Sequence, residues 1–334
     1  MASRVSPVLK PLLARRAMSD RAPRIPSLAI IDDYLNTSAP HFAHIAPARL
    51  EITTFRDSIV PDGEEQVTRL VERLRPFDLI STVRERTAFP GSLLRRLPNL
   101  KLLLATGTQF ENFDLKTARE RGIPVVAAPG LGRTDQRNSV PARLGRLGAA
   151  VARIGHLAWG MRVVCWSANL TQEKADQMAA DVGLDPDNGV QDGKTFKVVS
   201  KDELFRDADV VSLQYVLSAR SRAIVGAKEL HLMKKSALLV NASRGPVIDQ
   251  AALLNTLERG EIRGAALDVF DVEPLPLTSP WRQDRHWGQN DRSHLLTTPH
   301  MGYVDEGLMN TWYAESAENV ERWLDGEEVL HRLV

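Results

Sequence analysis

From about residue 27 onward, short β-branched or leucine-rich runs alternate with longer stretches whose apolar residues recur at helical spacing. The runs 28–32, 50–55, 78–82, 101–106 and 123–128 predict strands, with helices over 64–75 and 114–121 between them. Strands separated by single helices imply βαβ units and a parallel sheet, whose ligand edge lies at the carboxyl ends of the strands. After Gly160 the rhythm restarts, with strands predicted over 161–167, 196–200, 209–216, 237–243, 265–271 and 295–298, again joined by helices. The closing stretch, 304–324, is helical in pattern, with Leu308, Trp312, Val320 and Trp323 available as one apolar face. Between 272 and 294 runs a long polar loop containing tryptophan, and such loops are more often functional or disordered than incidental. The expected fold class is therefore α/β, built on two doubly wound parallel sheets.

Composition narrows the functional classes. At 334 residues the chain is long enough for two domains, and its 43% hydrophobic and 25% charged residues are average for a globular protein. No apolar run approaches the roughly 20 residues needed to span a bilayer, so no membrane association is expected. The 43 Lys and Arg against 42 Asp and Glu leave a formal charge of +1, which gives no electrostatic reason to expect nucleic acid. Small-molecule chemistry is the better expectation. The single cysteine, Cys165, sits in the apolar run 161–166 and reads as a buried strand residue of a reducing compartment. Arg4, Lys10, Arg15 and Arg16 precede any acid, as in a mitochondrial transit peptide, but Pro7 and Pro11 would spoil the helix such peptides need. Met18 could equally be the start. Cytoplasm is the favoured location, with the mitochondrial matrix as the alternative.

Candidate chemistry lies at the predicted strand ends. Leu144-Gly145-Arg146-Leu147-Gly148 opens a helix over 149–156 that is followed by a strand ending at Ser167. In a dinucleotide fingerprint Gly145 would let backbone approach the pyrophosphate, Gly148 would let the helix pack closely on the sheet, and the helix N-terminus would face the negative charge. The fingerprint is incomplete, because Arg143 stands where its first glycine belongs. A dinucleotide site usually carries an acid at the end of the next strand to bind the ribose hydroxyls; here Ser167, Ala168 and Asn169 stand there, with Lys174 nearby. Without a carboxylate to repel a 2′-phosphate, NADP is at least as good a candidate as NAD. Ser167 ending a strand for no other purpose is an equally good reading.

Three further segments, 241–246, 267–274 and 298–302, begin where strands end and would bring Arg244, Glu273 and His300 to one edge of one sheet. Reducing a keto acid needs a cation for the carboxylate and carbonyl, an acid to protonate the oxygen, and a group to hold that acid charged. A guanidinium suits the first by its two-pronged geometry, an imidazole the second by its pKa near 6.5, and a carboxylate beside the imidazole the third. Singly, each residue is more often an ordinary loop residue. The ordered set, each member in its own Gly- or Pro-marked turn, is hard to obtain from structural needs alone.

Read together, LGRLGAAVARIG (144–155), VNASRGPVID (240–249), GAALDVFDVEP (264–274) and TPHMG (298–302) resemble the D-isomer-specific 2-hydroxyacid dehydrogenases, which include glyoxylate/hydroxypyruvate reductases and phosphoglycerate dehydrogenases. The resemblance implies a flavodoxin-like substrate domain over 20–134, completed by 304–334, with a Rossmann cofactor domain inserted over 135–303. It implies a nicotinamide cofactor, NADP or NAD, and a small 2-keto or 2-hydroxy acid as substrate. Arg244 would bind that substrate, and Glu273 and His300 would form the acid/base pair. Gly145, Arg146, Leu147, Gly148, Ser167, Asn169, Val216, Ser243 and Asp268 would contact the cofactor, the last at the nicotinamide amide. Arg84, Thr106, Gly107 and Thr108 would lie on the substrate side; no metal is implied. Between Pro129 and Gly145 the chain is shorter than the family pattern by several dozen residues, losing a helix that supports dimerisation and the first strand of the cofactor domain. The stretch 130–143 stands there instead, and Pro141 would leave a ladder hydrogen bond unmade if that stretch replaced the strand. A homodimer is accordingly a possibility only. A regulatory dinucleotide-binding protein of the same fold, or an impaired shortened form, are the rival readings.

Overall fold

The computed structural model describes residues 24–84, 86–107, 110, 112–130, 146–187, 193–283 and 285–334. Its first half holds strands β1 (Ser27–Ile30), β2 (Glu51–Thr54), β3 (Leu79–Thr82), β4 (Leu102–Thr106) and β5 (Val125–Ala128), with helices α1 (Ala39–Phe42), α2 (Glu64–Leu74), α3 (Gly91–Leu94) and α4 (Leu115–Glu120) between them. The strands pair in the order β2-β1-β3-β4-β5, all parallel, which is the flavodoxin-like order expected from the sequence. Side chains of a strand alternate between faces, and here both faces are dry. Leu103 and Ala105 of β4 join one core with Val67, Leu70, Val71 and Leu74 of α2, while Leu102 and Leu104 join the other. The α2 residues fall at helical spacing, and Glu64 and Glu65 in its first turn complement the helix dipole.

The rest of the chain begins with α5 (Arg146–Trp159), β6 (Val163–Cys165), α6 (Gln172–Asp181), β7 (Phe196–Val198) and α7 (Lys201–Asp207). It continues with β8 (Val210–Leu213), α8 (Ala227–Leu232), β9 (Leu238–Asn241), α9 (Gln250–Glu258), β10 (Gly264–Leu267), β11 (His294–Thr297) and α10 (Glu306–Leu324). The strands after α5 form two sheets rather than one, a four-stranded β11-β10-β9-β8 and a two-stranded β6-β7, all parallel. Among the described residues no strand joins β6 to β8. A cavity of about 1510 Å³ lies between them, lined by Val163 and Cys165 on one bank and Val210 and Leu213 on the other. Among the described residues the sheet is thus split between β6 and β8.

Two expectations need correction. The strands predicted over 161–167 and 209–216 pair only over Val163–Cys165 and Val210–Leu213, because each lacks a neighbour on one side. The 272–294 loop is neither disordered nor free of the core: Trp281 and Trp287 stack 6.3 Å apart and are buried in the core of the four-stranded sheet. His286 and Arg292 both hold Glu258 of α9, at 2.5 and 2.8 Å.

Helix α10 returns to the first sheet. Met309, Trp312, Tyr313, Ala317 and Val320 enter its second core beside Leu28, Ile30 and Leu104, and Tyr313 donates to buried Asp33 at 3.2 Å. The buried face is offset from the one read in the sequence, with Leu308 and Trp323 at its margins. Beyond α10, Ala127 donates to the His331 carbonyl and Leu333 to that of Val125, so the end of the chain caps the β5 edge.

Candidate active site

Strands β9, β10 and β11 are aligned so that Asn241 pairs with Leu267 and Leu267 with Thr297, and the loops that follow them leave the sheet side by side. The first and the third of these loops are each tied down by a buried side chain at the end of a strand. Asn241, 1% exposed, accepts from the Ser243 amide (3.1 Å) and hydroxyl (2.8 Å) and donates to the Arg244 carbonyl (3.0 Å). Gly245 follows because nothing larger fits: an added Cβ would lie 2.0 Å from the Phe270 carbonyl carbon. That close approach of two backbones sets Arg244 beside the turn that carries Glu273.

Asp268 does the same for the third loop. Its carboxylate accepts from the amides of Met301 and Gly302, each at 2.8 Å, and from the Thr298 hydroxyl, while its carbonyl accepts from the His300 amide at 2.8 Å. His300 is thereby held at φ 54°, a left-handed conformation that a non-glycine residue keeps only when its surroundings enforce it. Asp268 was read in the sequence as a nicotinamide contact; its position shows it first as the clamp of the histidine loop.

The imidazole and the carboxylate meet. His300 Nδ1 lies 2.5 Å from Glu273 Oε2, and Glu273 Oε1 accepts from the Phe270 amide at 2.6 Å. An ionised carboxylate can only accept, so Nδ1 carries the proton of that bond and Nε2 is the ring nitrogen left to exchange one. Arg244 leaves the adjoining loop half-buried, its guanidinium donating to the Ser243 carbonyl at 2.7 Å.

A second group of residues faces this edge from the first sheet. Tyr303 lies edge-on to the His300 ring at 6.0 Å, and its hydroxyl is 3.1 Å from that of Tyr34. The Arg84 guanidinium lies 4.6 Å from the centre of the Tyr303 ring and 5.9 Å from that of Trp312, and Arg86 covers Tyr34 at 4.6 Å. Arg84 is itself in the left-handed region at φ 49°, its amide donating to buried Thr106 at 3.1 Å. Gly107, at φ 84°, donates to Ala128 across the sheet. Burial, and after it the Tyr303 hydroxyl, pushes the Tyr34 phenol above its usual range. Burial likewise raises the carboxyl of Asp32, against the lowering effect of hydroxyls that include Thr82 and Thr87. Tyr34, Arg86 and Tyr303 escaped the sequence reading, since an aromatic residue near a strand end carries no signal of its own; a second arginine two residues after Arg84 was the available clue.

The cofactor-side residues are more scattered. Ser167 and Asn169 follow β6, and the Lys174 ammonium donates to the Asn169 carbonyl at 3.0 Å. Val216, 83% exposed, follows β8 on the opposite bank of the cavity. Leu147 lies in the first turn of α5 and is 72% exposed. The close packing expected of Gly148 is absent: an added Cβ would meet only Gln214, at an ordinary 3.5 Å. Thr108, Gly145 and the Arg146 side chain lie outside the described residues. Among the described residues no cluster of His, Cys, Asp and Glu could hold a metal, and no helix is long and apolar enough to cross a membrane.

Residues 142–302 match the model of the D-isomer specific 2-hydroxyacid dehydrogenase NAD binding domain. That stretch belongs to the D-isomer-specific 2-hydroxyacid dehydrogenase family. Among similar members of that family, the D-3-phosphoglycerate dehydrogenase of Methanocaldococcus jannaschii is 28% identical over 77% of this chain and 52% of its own length. A glyoxylate/hydroxypyruvate reductase B of Salmonella newport is 31% identical over 55% of this chain and 49% of its own. The chain thus spans about half the length of these relatives. A crystal structure of a phosphoglycerate oxidoreductase from Vibrio cholerae superposes with a TM-score of 0.69 at 27% identity, covering 90% of this chain and 99% of that one. This likeness accounts for the parallel sheets and for the NAD binding domain model matched over 142–302.

Proposed function

We propose that this chain is an NAD(P)-dependent oxidoreductase that moves a hydride between nicotinamide and a small D-2-hydroxy or 2-keto acid. The observation that carries the proposal is the 2.5 Å contact of His300 with Glu273, on a loop clamped by Asp268 at the sheet edge where Arg244 also emerges. In this reading Arg244 binds the substrate carboxylate and polarises its carbonyl, His300 gives or takes the hydroxyl proton at Nε2, and Glu273 fixes the ring's orientation through Nδ1. Arg84 and Thr106 shape the substrate side.

The dinucleotide, when bound, supplies or receives the hydride. The groups present suit it: Ser243 at the clamped edge and Val216 beside it for the nicotinamide end, Ser167 and Asn169 for the ribose end. With a serine, an amide and the Lys174 ammonium together and no acid ending β6, the ribose end accepts a 2′-phosphate, and NADP is the cofactor we propose to be used at least as well as NAD. The split sheet favours one rival, a regulatory protein that binds dinucleotide without turnover. Measuring NADPH oxidation with glyoxylate and hydroxypyruvate decides between them: the enzyme reading expects turnover that falls about 10²–10⁴-fold in His300→Ala with melting unchanged, and no turnover with retained NADPH binding overturns it.

A further inference from the structure

Arg86 is a half-buried cation with an unused donor. Its guanidinium lies 4.6 Å from the centre of the Tyr34 ring, and its Nη2 is shut off from solvent with no acceptor among the described residues. Asp32 is an acid whose carboxyl senses that charge, and it is engaged elsewhere. Its oxygens accept from Thr82 and Thr87, each at 3.1 Å, and burial pushes the carboxyl toward its neutral form against those hydroxyls, that of Ser58 and, least, Arg86. Burial likewise works against the charge of Arg86, and the Tyr303 and Tyr34 phenols hold it. A charged group with a buried donor left unmade is destabilising, and such an atom calls for an explanation.

The same residues stand where a substrate side chain has to go. The keto carbon of a 2-keto acid carries an oxygen, a carboxylate and a side chain. In the function proposed above, on which this inference rests, the oxygen faces His300 and the carboxylate faces Arg244, so the side chain is left for what else borders the imidazole. That border is Tyr303, its ring centre 6.0 Å from that of His300 and its hydroxyl 3.1 Å from that of Tyr34, with Arg86 covering the Tyr34 ring. As the structure stands the two phenols bond to each other. A methyl side chain offers this group nothing. A carboxylate offers about four lone-pair sites, which match the N–H bonds of Nη2 and the two phenol hydroxyls, and its charge balances that of Arg86. Charge-assisted bonds are about twice as strong as neutral ones, so a carboxylate competes with the phenol–phenol bond where a neutral side chain does not.

We propose that Arg86 and the hydroxyls of Tyr34 and Tyr303 form a closed subsite for the far carboxylate of a dicarboxylic 2-keto or 2-hydroxy acid, which opens it by replacing the hydrogen bond between the two phenols. D-Malate and D-lactate differ by that carboxylate, and titrating each into the full chain in a calorimeter reads the subsite without turnover. D-Malate should bind about tenfold or more tighter. Arg86→Met, which keeps an apolar stem over Tyr34, should bring the two affinities to within about twofold of each other, and Arg86→Lys, which keeps the charge but not the fork, should retain part of the difference. Tyr34→Phe leaves the ring under the guanidinium and removes one hydroxyl; it should narrow the difference about threefold, and it carries the test if melting shows that Arg86→Met does not fold. Equal affinities in the native chain overturn the proposal, as does a preference for D-malate that survives both Arg86→Met and Tyr34→Phe. D-3-Phosphoglycerate binding more tightly than D-malate overturns the choice of a carboxylate. Absence of NADPH oxidation with any keto acid sinks the dehydrogenase reading and leaves the ratio of affinities to decide this one, so the two failures are distinct.

Discussion

The two halves of this protein are built on the same principle and differ in one respect: the first sheet is continuous and the second, among the described residues, is interrupted. In the first, Leu28, Leu79 and Leu102 lie side by side with exposures of 0%, each strand interior supported by the next. In the second, β8 exposes Val210 to 42% and β6 keeps only Cys165 fully inside. Yet the loops that hold Arg244, Glu273 and His300 are intact, because β9, β10 and β11 belong to the unbroken four-stranded block. Among the described residues, the break between β6 and β8 leaves the loops that follow β9, β10 and β11 undisturbed. What loses its support is the β6–β7 pair, which carries the ribose end of the proposed cofactor site.

The largest effect that separates the two halves is in core packing. Ile80 and Phe196 are both 0% exposed. Ile80→Ala should cost about 2–5 kcal/mol, while Phe196→Ala should cost less than the about 3–5 kcal/mol usual for its size, because the β6–β7 block can collapse into the adjoining gap. Equal losses in denaturant titrations would erase the distinction drawn here. Next comes Asp268→Ala, which releases three donors of the histidine loop. We expect turnover with a keto acid to fall about 10–100-fold with little change in KM for NADPH, an outcome read by steady-state kinetics; a pure KM effect would place Asp268 on the cofactor instead.

A smaller effect is expected of Lys174→Met. It should raise KM for NADPH about three- to fivefold and leave NADH unaffected, and equal effects on the two cofactors would remove the 2′-phosphate from the argument. The smallest concerns Asp32 in the continuous half. Burial raises the pKa of its carboxyl in the folded chain, so the folded state binds that proton more tightly than the unfolded one. Its contribution is then favourable in acid and is lost as pH rises from the unfolded value through the raised one. Asp32→Asn keeps a side chain suited to φ 64° and removes the titration. Its Tm advantage over the native chain should therefore grow as pH rises above the ordinary aspartate value of about 3.9, by less than about 4 °C; a constant difference would show that the carboxyl is not shifted upward by folding.

The continuous half was legible because its strands are apolar runs buried on both faces, and 101–106 reads as a strand with or without its neighbours. The interrupted half was legible in order but not in extent. Residues 161–167 have strand composition over seven positions and pair over three, since pairing is a property of the neighbour rather than of the run. His300 and Glu273 could be matched from their turns. Asn241 and Asp268 could not be seen as clamps, because an amide or carboxylate after a strand looks like any turn residue until its three hydrogen bonds are drawn. The tryptophans of the 272–294 loop misled for a related reason: a polar segment that anchors itself by two large side chains has the composition of a loop and the burial of a core.

Tyr303 touches the imidazole with its ring, a guanidinium with its face and the tyrosine after β1 with its hydroxyl. Any motion that parts the elements joined at Tyr303 must therefore change the surroundings of His300, and by thermodynamic reciprocity a ligand held at that imidazole alters how readily they part. Occupancy and shape are thus written into a single phenol, so that opening the molecule and filling its site are two readings of one equilibrium.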